Sequence, residues 1–244
     1  MKDAVHVLWT GGWDSTYRIL QIIYSSDSTV QPHYIVDYER KSTLVELRVI
    51  EEIRALLVGE FGEIRLRVPQ ISLMSSLRFR AEASDKWRRL RQQVKIGEQY
   101  CWLAAYAEVN DLENLELCIH RDDKAHALLL GRTAEANVQG FRGHVLKDDV
   151  EPDLELFRRF FFPVFDMTKC DMERSAAEMG VENLLRRTWF CFNPILGRYP
   201  CGRCNPCLFA FEEGMASRIG WRGLALGIPF ALLKRLACRV FRSD

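Results

Sequence analysis

The amino-acid sequence predicts a doubly wound α/β domain on a parallel sheet, followed by a small metal-binding subdomain near the C-terminus. Three observations lead there. Strand-like and helix-like patterns alternate from residue 5 to residue 68, two glycines stand at the first strand-to-helix junction, and four cysteines crowd between residues 191 and 207. Short apolar runs alternating with amphipathic segments imply parallel strands joined by right-handed crossovers. A chain of 244 residues fits one large domain, or a main domain with an appendage. With 48% hydrophobic and 27% charged residues it can bury a sizeable core. Its net charge of +1 supplies no global positive field, so nucleic acid is not an expected partner.

Each element follows from its own pattern. Residues 5–9 read as a buried strand, the Gly-Gly turn follows, and 15–24 reads as a helix with apolar Ile19, Leu20, Ile22 and Ile23. Residues 33–36 form a second strand ending at Asp37-Tyr38. Residues 44–58 form an amphipathic helix stopped by Gly59, and 64–68 a third strand. Helices are expected over 81–95 (charged) and 100–109 (apolar), and a fourth strand over 115–119. Residues 120–153 read as substrate-side loops with a short helix, and 160–165 as a strand or its approach. Residues 168–179 read as a helix, with Gly180 placed for a left-handed cap. The domain limits are set at 1–183, 184–215 for the cysteine subdomain, and 216–244 for a helical tail. Residues 1–4 run into a strand rather than a secretory leader, and no apolar run of roughly 18 residues is present to span a membrane. Reduced thiols in a cytoplasm are therefore the expected state of the eight cysteines.

The stretch Leu8-Trp9-Thr10-Gly11-Gly12-Trp13-Asp14-Ser15-Thr16 carries the first chemical signal. Adjacent glycines let main chain approach phosphate oxygens, and the helix start offers unpaired N–H groups and a positive dipole end. Thr10, Ser15 and Thr16 add hydroxyls. Asp14 is a candidate helix cap or Mg²⁺ holder. Neither the Walker lysine pattern nor the spaced dinucleotide glycines are present.

The segment from Thr10 to Ser15 resembles the Ser-Gly-Gly-x-Asp-Ser loop of the PP-loop ATP pyrophosphatases, with Thr10 keeping the hydroxyl. That superfamily adenylates substrates and releases pyrophosphate, so the resemblance implies a HUP-like sheet and ATP as co-substrate. Asp37-Tyr38 with Arg40, Lys41 and Glu46 is similar to a stretch of one branch, the 7-cyano-7-deazaguanine synthases. There the end of the second strand lies by the adenine. Residues 163–169 and 178–181 resemble that branch's Pro-Leu-x-x-x-Thr-Lys and Glu-Leu-Gly-Val, which makes Lys169 a candidate to neutralise phosphate charge. Lys95 is a second such candidate.

Cys191, Cys201, Cys204 and Cys207 have the spacing of a closed tetrahedral site, with Gly202, Pro200 and Pro206 supplying the turns. Four thiolates point to structural zinc. An iron–sulfur cluster is the rival, because the three-cysteine run overlaps ferredoxin spacing. Thr188-Trp189-Phe190-Cys191-Phe192 and residues 200–207 resemble the zinc-binding ending of the same branch, which favours zinc. The likeness spans roughly residues 5 to 215.

It fails in the middle. The branch's Val-Pro-x-Arg-Asn is replaced by residues 94–100, and its Ser-Gly-Tyr-Pro-Asp-Cys-Arg by His120-Arg121-Asp122-Asp123-Lys124. The resemblance thus implies ATP-dependent adenylation of a 7-carboxy-7-deazaguanine-type acid and C–N bond formation to amide or nitrile, with the acceptor open. One alternative is conjugation of the activated acid to a protein amine, as an antiphage-defence relative would do. The others are an iron–sulfur enzyme thiolating tRNA and a nucleotide-binding module without turnover. His126 and His144 fall in the loop region where a proton shuttle would sit, with no partner visible in sequence. The basic run 78–95 reads first as a solvated helix face. The apolar tail 224–241, broken at residues 227–229, is expected to pack on its own domain or on a second subunit of a homodimer.

Overall fold

A computed structural model describes residues 4–63, 65–77, 81–212 and 214–229. The first strand, β1 (Val5–Leu8), leads through the Gly-Gly turn into helix α1 (Trp13–Ser25), and β2 (Val30–Val36) leads into α2 (Thr43–Phe61). Strand β3 (Gln70–Leu73) precedes helices α3 (Ala81–Gln93) and α4 (Gln99–Val109), and β4 (Leu115–Glu116) precedes the short α5 (Lys124–Leu129). A hairpin of β5 (Thr133–Val138) and β6 (Phe141–Leu146) follows, then β7 (Phe160–Phe162). Helices α6 (Lys169–Glu178), α7 (Glu182–Leu185) and α8 (Asn205–Glu212) complete the larger elements.

The seven strands form one sheet in the order β3-β2-β1-β4-β7-β6-β5. The first five of these are parallel, as expected, but β6 runs antiparallel to both β7 and β5. The sheet is therefore mixed, and residues 133–146 are strands where loops were expected. Their turn places Gln139 and Gly140 at φ of 52° and 92°, the two positive values that a two-residue hairpin turn requires. The alternating residues on either side of Gln139-Gly140 were the available signal. Residues 147–151 keep the predicted irregular character up to a short 3₁₀ helix at Pro152–Phe157.

The third strand also lies further on than predicted. Leu66 makes only an isolated bridge to Val30, and continuous pairing resumes at His33 with Gln70. Two residues on β2 therefore face three on the incoming chain, across a stretch containing Pro32 and Pro69, neither of which has an N–H to donate. Residue 64, part of the predicted strand, lies outside the described residues. Strand β4 is shorter than predicted because Ile119 and Asp123 donate to Leu117 and His120 within their own turn, which turns the chain off the sheet.

Each face of the sheet carries its own apolar cluster. One gathers Tyr17, Ile19 and Leu20 of α1, Ile50 and Ile53 of α2, and Met172 and Ala176 of α6 against Val5, Val7 and Tyr34. The other joins Trp87 and Leu90 of α3, Tyr106 of α4 and Leu129 of α5 to Leu115, Phe160 and Phe162. Burying a sheet on both faces explains why β7 reads as three consecutive phenylalanines. Helix α6 starts in a capping box between Thr168 and Asp171, and Gly180 beyond its end has φ 72°. No helix among the described residues is long and apolar enough to cross a membrane. The tail expected over 224–241 is described only to residue 229. The backbone there stays helical through Ile228 instead of breaking, wound as a π-helical turn over Gly223–Gly227. Close packing holds that turn down: a Cβ on Gly202 would lie 2.1 Å from the Gly223 carbonyl oxygen.

Candidate functional site

Strand β1 lies between β2 and β4, where the strand order reverses, so the loop after it opens at the sheet's topological switch point. Gly12 caps α1 with no side-chain hydrogen bond, which leaves the first N–H groups of the helix unclaimed by any cap. Gly11 has φ 67°, and a Cβ there would sit 3.3 Å from both the Glu46 carbonyl oxygen and the Ile50 side chain. Only glycine meets both conditions without strain. Leu8, Thr10, Gly12, Asp14 and Ser15 line a cleft of about 260 Å³ together with His33, Tyr100 and Asp123. Thr16 does not join them. It is fully buried and its Oγ1 accepts from the indole Nε1 of Trp9 at 2.9 Å, so its hydroxyl braces the loop from behind.

Asp14 is the electrostatic centre of the loop. Burial pushes its carboxyl above the usual range, while His120 and Lys169 pull the other way. His120 Nε2 stands 3.7 Å from Asp14 Oδ1, an oxygen that has no hydrogen-bond partner among the described residues. Buried acceptors are ordinarily satisfied, so an open one at a cleft is a place for a proton donor or a cation. Lys169, the first residue of α6, is half-buried and within electrostatic reach of Asp14.

A second basin of about 590 Å³ shares Arg40, Gln99, Trp102 and Phe192 with the first. Asp37 lies on its wall, where its Oδ1 accepts from the Glu39 amide. Tyr38 points away, with 62% of its surface exposed. Lys95 is exposed and lines neither basin. Arg40 stacks on the Phe192 ring at 4.9 Å and pairs with the buried Glu46 at 3.0 Å, which fixes a guanidinium between the two basins. The basic face of α3 is engaged in ion pairs, Lys86 with Glu82, Arg88 with Asp85 and Arg89 with Asp153, as a solvated helix would be.

Cys191, Cys201, Cys204 and Cys207 converge with all four sulfurs within 4.8 Å of one another. The separations 3.4, 3.8 and 4.0 Å between three of the pairs bracket the roughly 3.8 Å expected for thiolates at ~2.3 Å around one tetrahedral ion. The amides of Cys201, Arg203 and Cys204 point at the sulfurs of Cys191 and Cys201, as in a knuckle turn. These residues can hold a metal such as zinc.

The metal-ligand segment and the glycine loop are joined. The Trp189 amide donates to the Gly11 carbonyl at 2.8 Å, and the Trp189 indole donates to the Cys191 carbonyl at 2.7 Å. Arg218 donates to the carbonyl and hydroxyl of Thr188 and lies 4.9 Å over both the Trp13 and Phe190 rings. Burial lowers its guanidinium to about 10. Sequence reading missed Arg218, His120, Gln99 and Trp102. The first is an unmarked arginine beyond the cysteines, His120 and Gln99 stand in the stretches 120–124 and 94–100 where the resemblance fails, and Trp102 lies in the apolar helix predicted over 100–109.

Both loop histidines acquire partners. His126 is buried against Phe165 at 4.3 Å, and burial lowers its pKa. His144 Nε2 lies 2.7 Å from Asp166 Oδ2.

Fold and site together define an α/β protein with a glycine-rich loop at the switch point of its sheet and a four-cysteine centre clamped to that loop. No family model matches the chain. Over 68 residues it is 40% identical to a 7-cyano-7-deazaguanine synthase of Erythrobacter litoralis (strain HTCC2594). The matched stretch is 28% of this chain and 26% of that protein, so the chain spans about a quarter of its relative's length.

Proposed function

We propose that the protein is an ATP-dependent ligase of the PP-loop type that adenylates the carboxylate of a 7-deazaguanine-type acid and then forms a C–N bond. The observation that carries the reading is the uncapped start of α1 opening, beside an unsatisfied Asp14 oxygen, into a cleft at the switch point. In this reading, main-chain amides of residues 11–15 and the hydroxyls of Thr10 and Ser15 receive the phosphates, the Thr16 amide being taken by the Gly12 carbonyl. Asp14 would hold Mg²⁺ through its open oxygen, and Lys169 would offset phosphate charge. The nucleoside would lie toward Asp37 and the Phe192–Trp102 walls. A carboxylate oxygen attacks the α-phosphorus and pyrophosphate leaves. An amine nitrogen then attacks the acyl carbon and AMP leaves with the C–O electron pair. The four cysteines would hold zinc as a structural brace, with residues 1–183 as the nucleotide domain. The partial likeness to a 7-cyano-7-deazaguanine synthase supports the acid's class.

The test is incubation with ATP, 7-carboxy-7-deazaguanine and ammonium, followed by mass spectrometry and metal analysis. AMP and pyrophosphate in equal amounts, with amide or nitrile product and bound zinc, is the expected result. Nucleotide binding without AMP would reduce the protein to a binding module, a coloured iron protein would favour thiolation chemistry, and a mass added to co-expressed protein would move the acceptor to a protein amine.

A further inference from the structure

The cleft between the β5–β6 hairpin and the segment after β7 shares no lining residue with the cleft at the glycine loop. It is about 630 Å³ in volume and is lined by Glu135, Arg142, His144, Phe165 and Asp166 among others. Strands β1, β4 and β7 are parallel, so residues 163–167 leave β7 on the same edge of the sheet as the glycine loop. The cleft opens on that edge, on the opposite side of β4 from the Asp37 basin. The rim between is continuous: the Arg121 amide donates to the Met167 carbonyl at 2.9 Å, two residues before Lys169.

His144 is held from several sides. Its Nε2 meets Asp166 Oδ2 at 2.7 Å, and Thr133 Oγ1 lies 3.4 Å from Nδ1. Glu135 stands directly opposite it in the hairpin register, and Phe165 covers it at 4.8 Å. The imidazole is sheltered, its side chain 14% exposed, while that of Asp166 is 65% exposed. A pair whose carboxylate is this exposed contributes only ~0–1 kcal/mol to stability, so folding gives little reason to hold it. An imidazole aimed by a carboxylate at the edge of a cavity is the arrangement of a general base.

We propose that His144, oriented by Asp166, accepts the proton of the amine that attacks the activated acyl carbon, and that the amine enters through this cleft. The assignment rests on the adenylation reading above. As the C–N bond forms and the C–O bond to AMP breaks, AMP leaves with that electron pair and the nitrogen's proton passes to Nδ1 of His144, whose Nε2–H donates to Asp166. Asp166 and Glu135 then flank the imidazolium.

The experiment compares wild type with His144→Asn and Asp166→Asn in three assays. These are pyrophosphate exchange into ATP driven by 7-carboxy-7-deazaguanine, product formation with ammonium, and product formation with hydroxylamine, which attacks acyl adenylates without a base. In His144→Asn, exchange and the hydroxylamine product are expected to stay within about threefold of wild type while the ammonium product falls about a hundredfold. In Asp166→Asn the ammonium product is expected to fall about tenfold. An unchanged ammonium reaction in His144→Asn, or a parallel loss of all three readouts in both variants, overturns the base assignment alone. Absence of exchange in wild type overturns the adenylation reading and this role with it.

Discussion

Two positions one turn apart on α1 received opposite treatment. Arg18 is fully buried and closes a bidentate pair with Glu116, at 2.7 and 2.6 Å, with Phe141 stacked 4.3 Å over its guanidinium. Asp14, four residues earlier on the same helix, faces His120 only at 3.7 Å and keeps one oxygen unpartnered. Burial pushes both carboxyls upward. At Glu116 the guanidinium hydrogen bonds come next and oppose it, whereas at Asp14 the next opposing causes are the more distant charges of His120 and Lys169. The comparison separates a buried charge whose partners complete it from one that keeps an open acceptor among the described residues.

Breaking the closed site should have the largest effect. Glu116→Gln leaves a buried guanidinium uncompensated and is expected to cost about 3–5 kcal/mol, read by chemical denaturation. At the open end, Gly11→Asp combined with Ser15→Ala is expected to lower nucleotide turnover by about a hundredfold, because the new side chain meets Glu46 and Ile50 and the loop loses a hydroxyl. A double variant with wild-type turnover would remove the nucleotide reading. Third comes the clamp: Cys204→Ser or chelation is expected to weaken ATP binding about tenfold by calorimetry, through loss of the Trp189 contact to Gly11.

The pH dependence of stability sharpens the comparison further. A carboxyl raised in the folded state binds its proton more tightly there than in the unfolded chain. Asp14 therefore stabilises the fold least at neutral pH, and stability rises as pH falls from the raised value toward 3.8. Asp14→Asn should gain stability over wild type at pH 7 and lose that advantage near and below pH 3.8, as read from paired denaturation curves. Equal curves at both pH values would mean that the site is already neutralised. The smallest effect is expected at Tyr38: Tyr38→Ala should change stability by less than about 0.5 kcal/mol and ATP affinity by less than about threefold, since the ring faces solvent.

The readable parts of the sequence were those in which one local rule decides. Thr168 with Asp171 capped α6, Gly180 closed it, and the cysteine spacing brought four sulfurs together. The hairpin of residues 133–146 was lost because the apolar members of its edge strand include the small Ala134 and Ala136 and none is fully buried, so its polar–apolar alternation carries little hydrophobic contrast. The third strand was misplaced because residues 64–68 are apolar enough for a strand, while the ladder was decided by two prolines on facing chains. Tyr38 was expected at a ligand because Asp37-Tyr38 resembles a family motif. The chain turns beyond the end of β2 at Val36, and of the two residues Asp37 lines the basin while the Tyr38 ring faces solvent.

The sequence by itself determined that this chain makes an α/β fold whose first strands are parallel, with a Gly-Gly turn after the first strand and four cysteines spaced to converge further on. Periodicity, glycine conformation and ligand spacing act over a few residues and need no partner from elsewhere. Only the tertiary structure decided that the Trp189 amide clasps Gly11, that Arg218 returns to cover Trp13, and that Asp166 meets His144. Those pairings join residues far apart in the chain, and their geometry comes from how the layers pack.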